Sequence, residues 1–423
     1  MKAPRVRDKA RDAGRELTDR WYRELESEEF GERNVVYTFT SGSIIELFRA
    51  FDFRVVLPEI NAVHCSTANV AMEMIHDGEE LGYAADVCSY VKSDLGLMAG
   101  PRKGNAPFGK IPAPDLIVVT HGGCPTHIKW AESLARELGG RMAIVDVPFV
   151  RDDQPTDFDH AYVRGQIESL IPVCEEMTGV SFDIDRLRRI LGHTYEAIEL
   201  FRKLLESGKL VPSPIDGFFE AVSYMAPLTI WRGTQEAVDY YRMAVAQMEE
   251  RASRGYSPLG EERFRLLMDG SPPWARLGEF REMFARWSAV VVASSYARVV
   301  CSCEDLRWGP DDPIDFLAEL AGQSWFNWNL ARRRRLLEQL AREYKVDGIV
   351  AHSVRSCRPS SFGQLDLRNY FAQQAGIPAL FLESDSADPR FFTTAEIMNR
   401  VNTFFEALSR RKEKEVGDLA IPE

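Results

Sequence analysis

An α/β fold with two open parallel-sheet domains, a helical middle region and an N-terminal helix is what the sequence predicts, on three observations. Short apolar, β-branched runs at 35–39, 116–120, 289–293, 348–351 and 379–382 alternate with stretches of helical period, as in sheets covered on both faces. This alternation occurs twice, on either side of a segment, 157–283, where strand-like runs nearly vanish. The 423 residues, 45% of them hydrophobic, suffice for two or three domains at roughly 150 residues each.

Residues 1–30 read as one charged helical arm. Leu17, Trp21, Tyr22 and Leu25 recur mostly at three- and four-residue steps, so the arm packs an apolar stripe on another element. The first α/β domain, 31–156, opens with the strand at 35–39. Ser43 is placed to cap a helix running through Phe51, and a strand at 55–57 follows. The run at 116–120 is a buried strand, Pro125 starts a helix to Leu138, and 142–147 is the next strand. The helical middle region, 157–286, carries periodic stretches at 183–207 and 234–254 and is interrupted at Pro212-Ser213-Pro214. In the second α/β domain, 287–410, strands at 289–293, 348–351 and 379–382 alternate with helices at 313–321, 330–344, from Cys357 to Ala375, and from Thr394 to about Arg410. A polar tail, 411–423, is expected to fray.

Composition removes several classes of function. A formal net charge of −12 opposes a nucleic-acid partner, whose affinity rests on Lys and Arg patches that release counterions. No window approaches the roughly 18 apolar residues of a membrane span, and the charged N-terminus offers no leader, so a cytoplasmic location is expected. Seven cysteines form no small disulfide framework, and a reducing compartment favours thiols that are free, catalytic or metal-bound. The densest basic run, Arg332 to Arg335, reads as a solvated helix face; docking of coenzyme A phosphates or an acidic partner is the functional alternative. The chain has no P-loop, nucleophile elbow or H-E-x-x-H motif, which argues against nucleotide hydrolysis by the chain itself.

Three cysteines carry the chemistry. Cys88 lies in Asp86-Val87-Cys88-Ser89-Tyr90, Cys124 in Gly122-Gly123-Cys124-Pro125, and Cys357 in Arg355-Ser356-Cys357-Arg358-Pro359, each just past a strand or turn. Thiolates gathered from such distant segments suit a soft metal centre such as an iron–sulfur cluster. In open α/β sheets ligands collect beyond the carboxyl ends of the strands, where Cys124 and Cys357 fall, one from each domain. A cleft between the domains would present both, with Cys88 delivered by the connection ahead of the 116–120 strand. Spacing alone leaves ordinary buried thiols as an alternative, since no compact cluster motif is present. Cys301 and Cys303, roughly 6.6 Å apart if extended, are too wide to share one metal with bonds of about 2.3 Å and read as accessory or reactive thiols. Cys65 and Cys174, among apolar neighbours, read as packing residues. Of the seven histidines, His121 and His127 flank Cys124 and His352 precedes Cys357 by five residues, so one of these is a candidate proton donor. Glu383, Asp385 and Asp388 suggest either a hard-metal site or, more simply, a capped turn before Pro389.

Longer motifs around these cysteines carry a resemblance. Asp86 to Gly96 (Asp-Val-Cys-Ser-Tyr-Val-Lys-Ser-Asp-Leu-Gly), Pro112-Ala113-Pro114-Asp115 leading to Gly123-Cys124, Ser356-Cys357 with Phe362-Gly363-Gln364, and Glu383-Ser384-Asp385 with Asp388-Pro389-Arg390 are similar to the 2-hydroxyacyl-CoA dehydratase and benzoyl-CoA reductase family. Ser213-Pro214-Ile215-Asp216 and Arg232-Gly233-Thr234 extend the likeness through the middle, and the ATP-dependent benzoyl-CoA reductase branch matches best. The resemblance implies that the two α/β parallel-sheet domains are Rossmann- or flavodoxin-like, and that a [4Fe-4S] cluster is held by Cys88, Cys124 and Cys357, with one iron left open. It implies reduction of an aromatic acyl-CoA to a cyclic diene by low-potential single electrons. Radical removal of water from a 2-hydroxyacyl-CoA, or a non-catalytic electron-relay role in the same complex, are the alternatives. Charge arriving on the thioester carbonyl calls for fixed positive groups, for which Arg355 and Arg358 are candidates. Ser89, Thr120 or His127 would supply hydrogen bonds or protons. The implied partners are a smaller homologous cluster-bearing subunit (C type), ATP-hydrolysing activator subunits (A and D type) and, indirectly, ferredoxin.

Overall fold

Ten strands among the described residues, in chain order β1 (Val35–Thr38), β2 (Arg54–Val56), β3 (Asn105–Ala106), β4 (Gly109–Lys110), β5 (Leu116–His121), β6 (Arg141–Asp146), β7 (Phe264–Asp269), β8 (Ala289–Ser294), β9 (Gly348–Val354) and β10 (Ala379–Ser384), organise the computed structural model. It describes residues 8–27, 31–152, 154–300, 309 and 311–419. Apart from the β3–β4 hairpin they form two parallel four-stranded sheets, ordered β2-β1-β5-β6 and β10-β9-β7-β8. Numbered by chain order within each lobe, the first sheet runs 2-1-3-4 and the second 4-3-1-2. Parallel neighbours need helical crossovers, and here these bury the sheets on both faces.

The register is tight in the first lobe: Val36 pairs with Leu116 and Thr38 with Val118, and β5 continues onto β6 from Leu116 opposite Arg141. Helix Pro125–Leu138 has the bounds its residues demand, with Pro at the first turn and Gly139 beyond the end at φ 85°. Ser43 does not cap the helix Ile45–Ala50; Ile44 takes that position, and the Ser43 carbonyl accepts instead from the buried Arg232, whose guanidinium also pairs with Glu46 at 2.7 Å. That pair ties the first lobe to the helical middle.

The stretch read as helical contains a strand. All six residues of β7 are buried and it lies between β9 and β8 in the second sheet. Arg265 breaks the apolar run and hides the strand signal. Its guanidinium is buried because it donates to the carbonyls of Tyr344, Leu210 and Gly208 and pairs with Glu262. The expected helix from Cys357 to Ala375 is two, Arg358–Ser361 and Gln364–Gln373, broken at Gly363 with φ 86°. The last helix, Thr394–Leu419, runs past Arg410 into the stretch expected to fray.

The N-terminal helix, Lys9–Glu26, buries Ala10, Trp21, Tyr22 and Leu25. Asp8 caps it and also accepts from Tyr224 and Gln247, and the Trp231 indole donates to the Leu17 carbonyl. It is thus a fixed wall against the middle region. No helix among the described residues is long and apolar enough to cross a membrane.

Candidate functional site

Cys88, Cys124 and Cys357 line one cavity of about 700 Å³ between the two lobes. Each occupies the residue before a helix: Ser89–Ala99, Pro125–Leu138 and Arg358–Ser361 respectively. Cys124 follows β5 and Cys357 follows β9, each the third strand of its lobe in chain order, and the loops after the first strands, Thr40 to Gly42 and Gly270 to Ser271, line the same space. Gly123, at φ 91°, lets Cys124 be presented, for a Cβ there would stand 2.2 Å from the Phe326 carbonyl oxygen.

Short polar contacts hold Cys88 and Cys357 together. Ser356 Oγ accepts from the Ser89 N–H at 3.2 Å and donates to Ser89 Oγ at 3.3 Å. Asp385 accepts from the Ser356, Ala387 and Asp388 N–H groups. Asp388 pairs with Arg390, and Glu383 with Arg355. The acidic trio is therefore a capped turn, as the simpler reading has it.

The three thiols feel one another. Burial pushes all three upward, Cys357 to about 12, and the thiolates oppose each other: Cys357 and Cys124 act on Cys88, and Cys124 acts on Cys357. First-turn N–H groups of Tyr90, Val91, Thr126, His127 and Ser360 pull the other way. Bare thiols in such a place are protonated and unreactive at neutral pH; a bound metal would supply the positive charge that keeps them as thiolates. Among the described residues no three Cys, His, Asp or Glu side chains stand close enough to hold a single metal ion. A four-iron cube takes one thiolate per iron, which spreads its ligands wider than a single ion does. Three converging free thiols beside helix N-termini fit that wider, anionic group.

Acid–base groups face the cavity from the first lobe. His127 is buried, stacked on Phe39 at 4.7 Å, with Nε2 3.4 Å from Glu59 Oε1. That oxygen also accepts from the Thr40 N–H and hydroxyl, while Glu59 Oε2 is buried with no hydrogen-bond partner among the described residues. Burial raises the Glu59 carboxyl and lowers the His127 imidazole, bringing the proton affinities of the two groups closer together. Behind them Asp94, lifted by burial to about 7, accepts from Asn61 and the Trp130 indole. Aromatic rings form much of the wall: Tyr90, Trp130, Trp274, Tyr296, Trp325 and Phe326. The Trp274 indole donates to the Tyr90 hydroxyl at 2.5 Å and meets Tyr296 edge-on.

Several sequence candidates lie elsewhere. Arg355 and Arg358 are exposed and not on the cavity wall; Arg355 pairs with Glu383 at the surface and covers Phe391. The cation close to the thiols is Arg333, which lowers the Cys357 pKa and donates to the Trp325 and Pro359 carbonyls. The run 332–335 is thus not a solvated face: Arg332 and Arg333 are buried, stacked on Trp328 and Trp325. Ser89 lines the cavity but is engaged in the seam between lobes, Thr120 is buried off the wall, and His352 is buried between the Ser271 carbonyl and Ser384 Oγ. His121 pairs with Asp146. Cys65 and Cys174 are buried in the core, and Cys301 and Cys303 lie outside the described residues. Glu59 escaped the sequence reading, although Leu57-Pro58-Glu59 places an acid in the first turn of a helix just past a strand end, where α/β ligands collect.

The family model for the 2-hydroxyglutaryl-CoA dehydratase D-component matches residues 43–408. A benzoyl-CoA reductase subunit of the B type, from Thauera aromatica, is 38% identical over 397 residues, covering 91% of each chain. The (R)-2-hydroxyisocaproyl-CoA dehydratase alpha subunit of Clostridioides difficile is 28% identical, covering 88% of this chain and 90% of the relative. The (R)-phenyllactyl-CoA dehydratase alpha subunit of Clostridium sporogenes is also 28% identical, covering 92% and 93%.

Proposed function

Because the chain belongs to the 2-hydroxyglutaryl-CoA dehydratase D-component family, we propose that it is the iron–sulfur catalytic subunit of an aromatic acyl-CoA reductase of the benzoyl-CoA type. The observation that carries this reading is the convergence of Cys88, Cys124 and Cys357 on one cavity walled by aromatic rings. Bound to their thiolates, a [4Fe-4S] cluster supplies low-potential electrons one at a time. The protein's own groups do the rest. Tyr90, Trp274 and Tyr296 offer edges and faces that orient a flat aryl group and exclude water. Glu59 and His127, on the cavity wall, are the pair that delivers the proton a reduced ring needs, through Glu59 Oε2, which has no hydrogen-bond partner among the described residues. Arg333 holds a fixed positive charge behind Cys357. Electrons come from outside the chain, from a smaller homologous cluster-bearing subunit and an ATP-hydrolysing activator fed by ferredoxin, all in the cytoplasm.

A second reading, removal of water from a 2-hydroxyacyl-CoA, has the Thr40 hydroxyl beside Glu59 on the cavity wall in its favour, since the two suit a substrate hydroxyl. Product analysis separates the two. Anaerobically assembled complex given benzoyl-CoA, a low-potential reductant and ATP is expected to form a cyclic diene thioester with net electron consumption. Turnover of a 2-hydroxyacyl-CoA to an unsaturated thioester with no net electron use, and none of benzoyl-CoA, would overturn the first reading in favour of the second.

A further inference from the structure

The cavity does not end at the thiols. Its wall continues past Thr229, Ala226 and Ser223 to the N-terminal helix, where Arg11, Gly14, Arg15 and Thr18 complete it. We propose that Arg11 and Arg15 form an anion subsite at the mouth of this cavity, taking the phosphate groups of a coenzyme A thioester whose acyl end lies against Cys88, Cys124 and Cys357. This rests on the acyl-CoA reading above and deepens it to a binding site.

Four residues apart, the two side chains share one helix face about 6 Å from each other along the axis, so each guanidinium fork can serve a separate phosphate. Both are exposed, and neither forms an ion pair among the described residues. The other arginines of this helix are committed: Arg20 to Glu24 and Glu236, Arg23 to Glu16. Among the neighbouring acids, Asp12 adjoins Arg11 in the first turn and Glu16 is held by Arg23. Asp8 is occupied by Tyr224, Gln247 and Arg251. Asp19, one turn beyond Arg15 on the same wall, repels phosphate and so marks the inner limit of the subsite. A chain of net charge −12 repels a polyanionic thioester as a whole, and a local basic rim is what lets one approach.

The rim is also rigid. At Gly14 a Cβ would meet the Tyr240 hydroxyl at 3.1 Å and the Ser223 carbonyl at 3.4 Å, so the absent side chain seats the helix against the middle region. Thr18 closes back onto the Gly14 carbonyl. The arginines therefore sit on a wall fixed relative to the thiols, and an elongated ligand can be measured between them.

The test uses anaerobically purified full-length protein, with equilibrium binding of benzoyl-CoA and benzoyl-pantetheine to wild type, to the double variant Arg11→Ala/Arg15→Ala and to Arg11→Lys/Arg15→Lys. The double alanine variant is expected to weaken benzoyl-CoA binding about 10- to 100-fold, to leave benzoyl-pantetheine unchanged and to lose most of the salt dependence. The lysine variant recovers part of the loss. Thermal melting and iron content, unchanged for these exposed positions, guard against misfolding. Wild type and double alanine variant binding benzoyl-CoA equally at low salt would overturn the subsite alone. Wild type binding neither thioester would overturn the acyl-CoA reading and the subsite with it.

Discussion

Each of the two lobes offers a cysteine after its third strand, yet they furnish the cavity with opposite kinds of charge chemistry. From the first lobe come two thiols and the paired Glu59 and His127. From the second comes one thiol, with Arg333, a guanidinium that two carbonyls hold in place, behind it. Both lobes carry a buried acid behind the wall, Asp94 hydrogen-bonded to Trp130 and Asn61, and Asp269 to Ser295. Two parallel sheets of the same size thus set an acid–base pair on one side of the thiols and a fixed charge on the other. The difference follows from the side chains in the first turns of the surrounding helices, since a four-stranded parallel framework is common to both.

Loss of a thiol tests whether the lobes are equal partners in holding the cluster. Serine at Cys88, Cys124 or Cys357 is expected to abolish most bound iron and sulfide in anaerobic preparations, irrespective of lobe, whereas serine at Cys301 or Cys303 leaves both unchanged. Iron lost from the second set and retained in the first would reverse the assignment. The division of labour is tested next. Glu59→Gln should lower kcat about 100-fold with iron content intact, while Arg333→Lys, which keeps the charge but loses the fork, should cost about 1–3 kcal/mol in urea denaturation with a smaller effect on kcat. Equal kcat losses for the two would erase the distinction.

Gly123→Ala probes the point where the Cys124 loop presses on the Phe326 carbonyl. Gly139 has a similar positive φ with nothing within 4 Å of a built Cβ, so Gly139→Ala is expected to cost about 1 kcal/mol and Gly123→Ala a further 1–3 kcal/mol by denaturant titration. The smallest effect concerns pH. Asp94 is lifted to about 7 in the fold, above its unfolded value of about 3.9. The folded protein keeps a proton there that the unfolded chain loses, so this residue's contribution to stability is full below pH about 4 and is lost as pH rises through about 7. Asp94→Asn should flatten that fall in thermal melts across the same window; a slope unchanged by the substitution would show that the carboxyl does not titrate there.

Much of the framework could be read from residue order. Pro125 and Gly139 bracket their helix to the residue, and unbroken apolar runs such as 116–119 and 289–293 are buried strands. β7 stayed hidden because Arg265 interrupts it, and its partners at Gly208, Leu210 and Tyr344 are distant in the chain. The same reason conceals the burial of Arg332 and Arg333, whose apolar cover is two tryptophans four to eight residues away and whose carbonyl partners include Pro359. The three cysteines were visible individually, but their meeting spans 269 positions, from Cys88 to Cys357, a separation on which local pattern says nothing. Glu59 and His127 are likewise joined only by the packing of two helices that follow β2 and β5, the strands on either side of β1.

The hydrogen-bonded serines at the seam have a mechanical consequence. Ser89 and Ser356 belong to the same turns that present Cys88 and Cys357, so rocking one lobe away from the other would pull the jaws of the clamp apart before it widened any passage. Separation of the lobes therefore has to break those two contacts first, and while they hold, the turns that carry two of the three sulfurs stay in register.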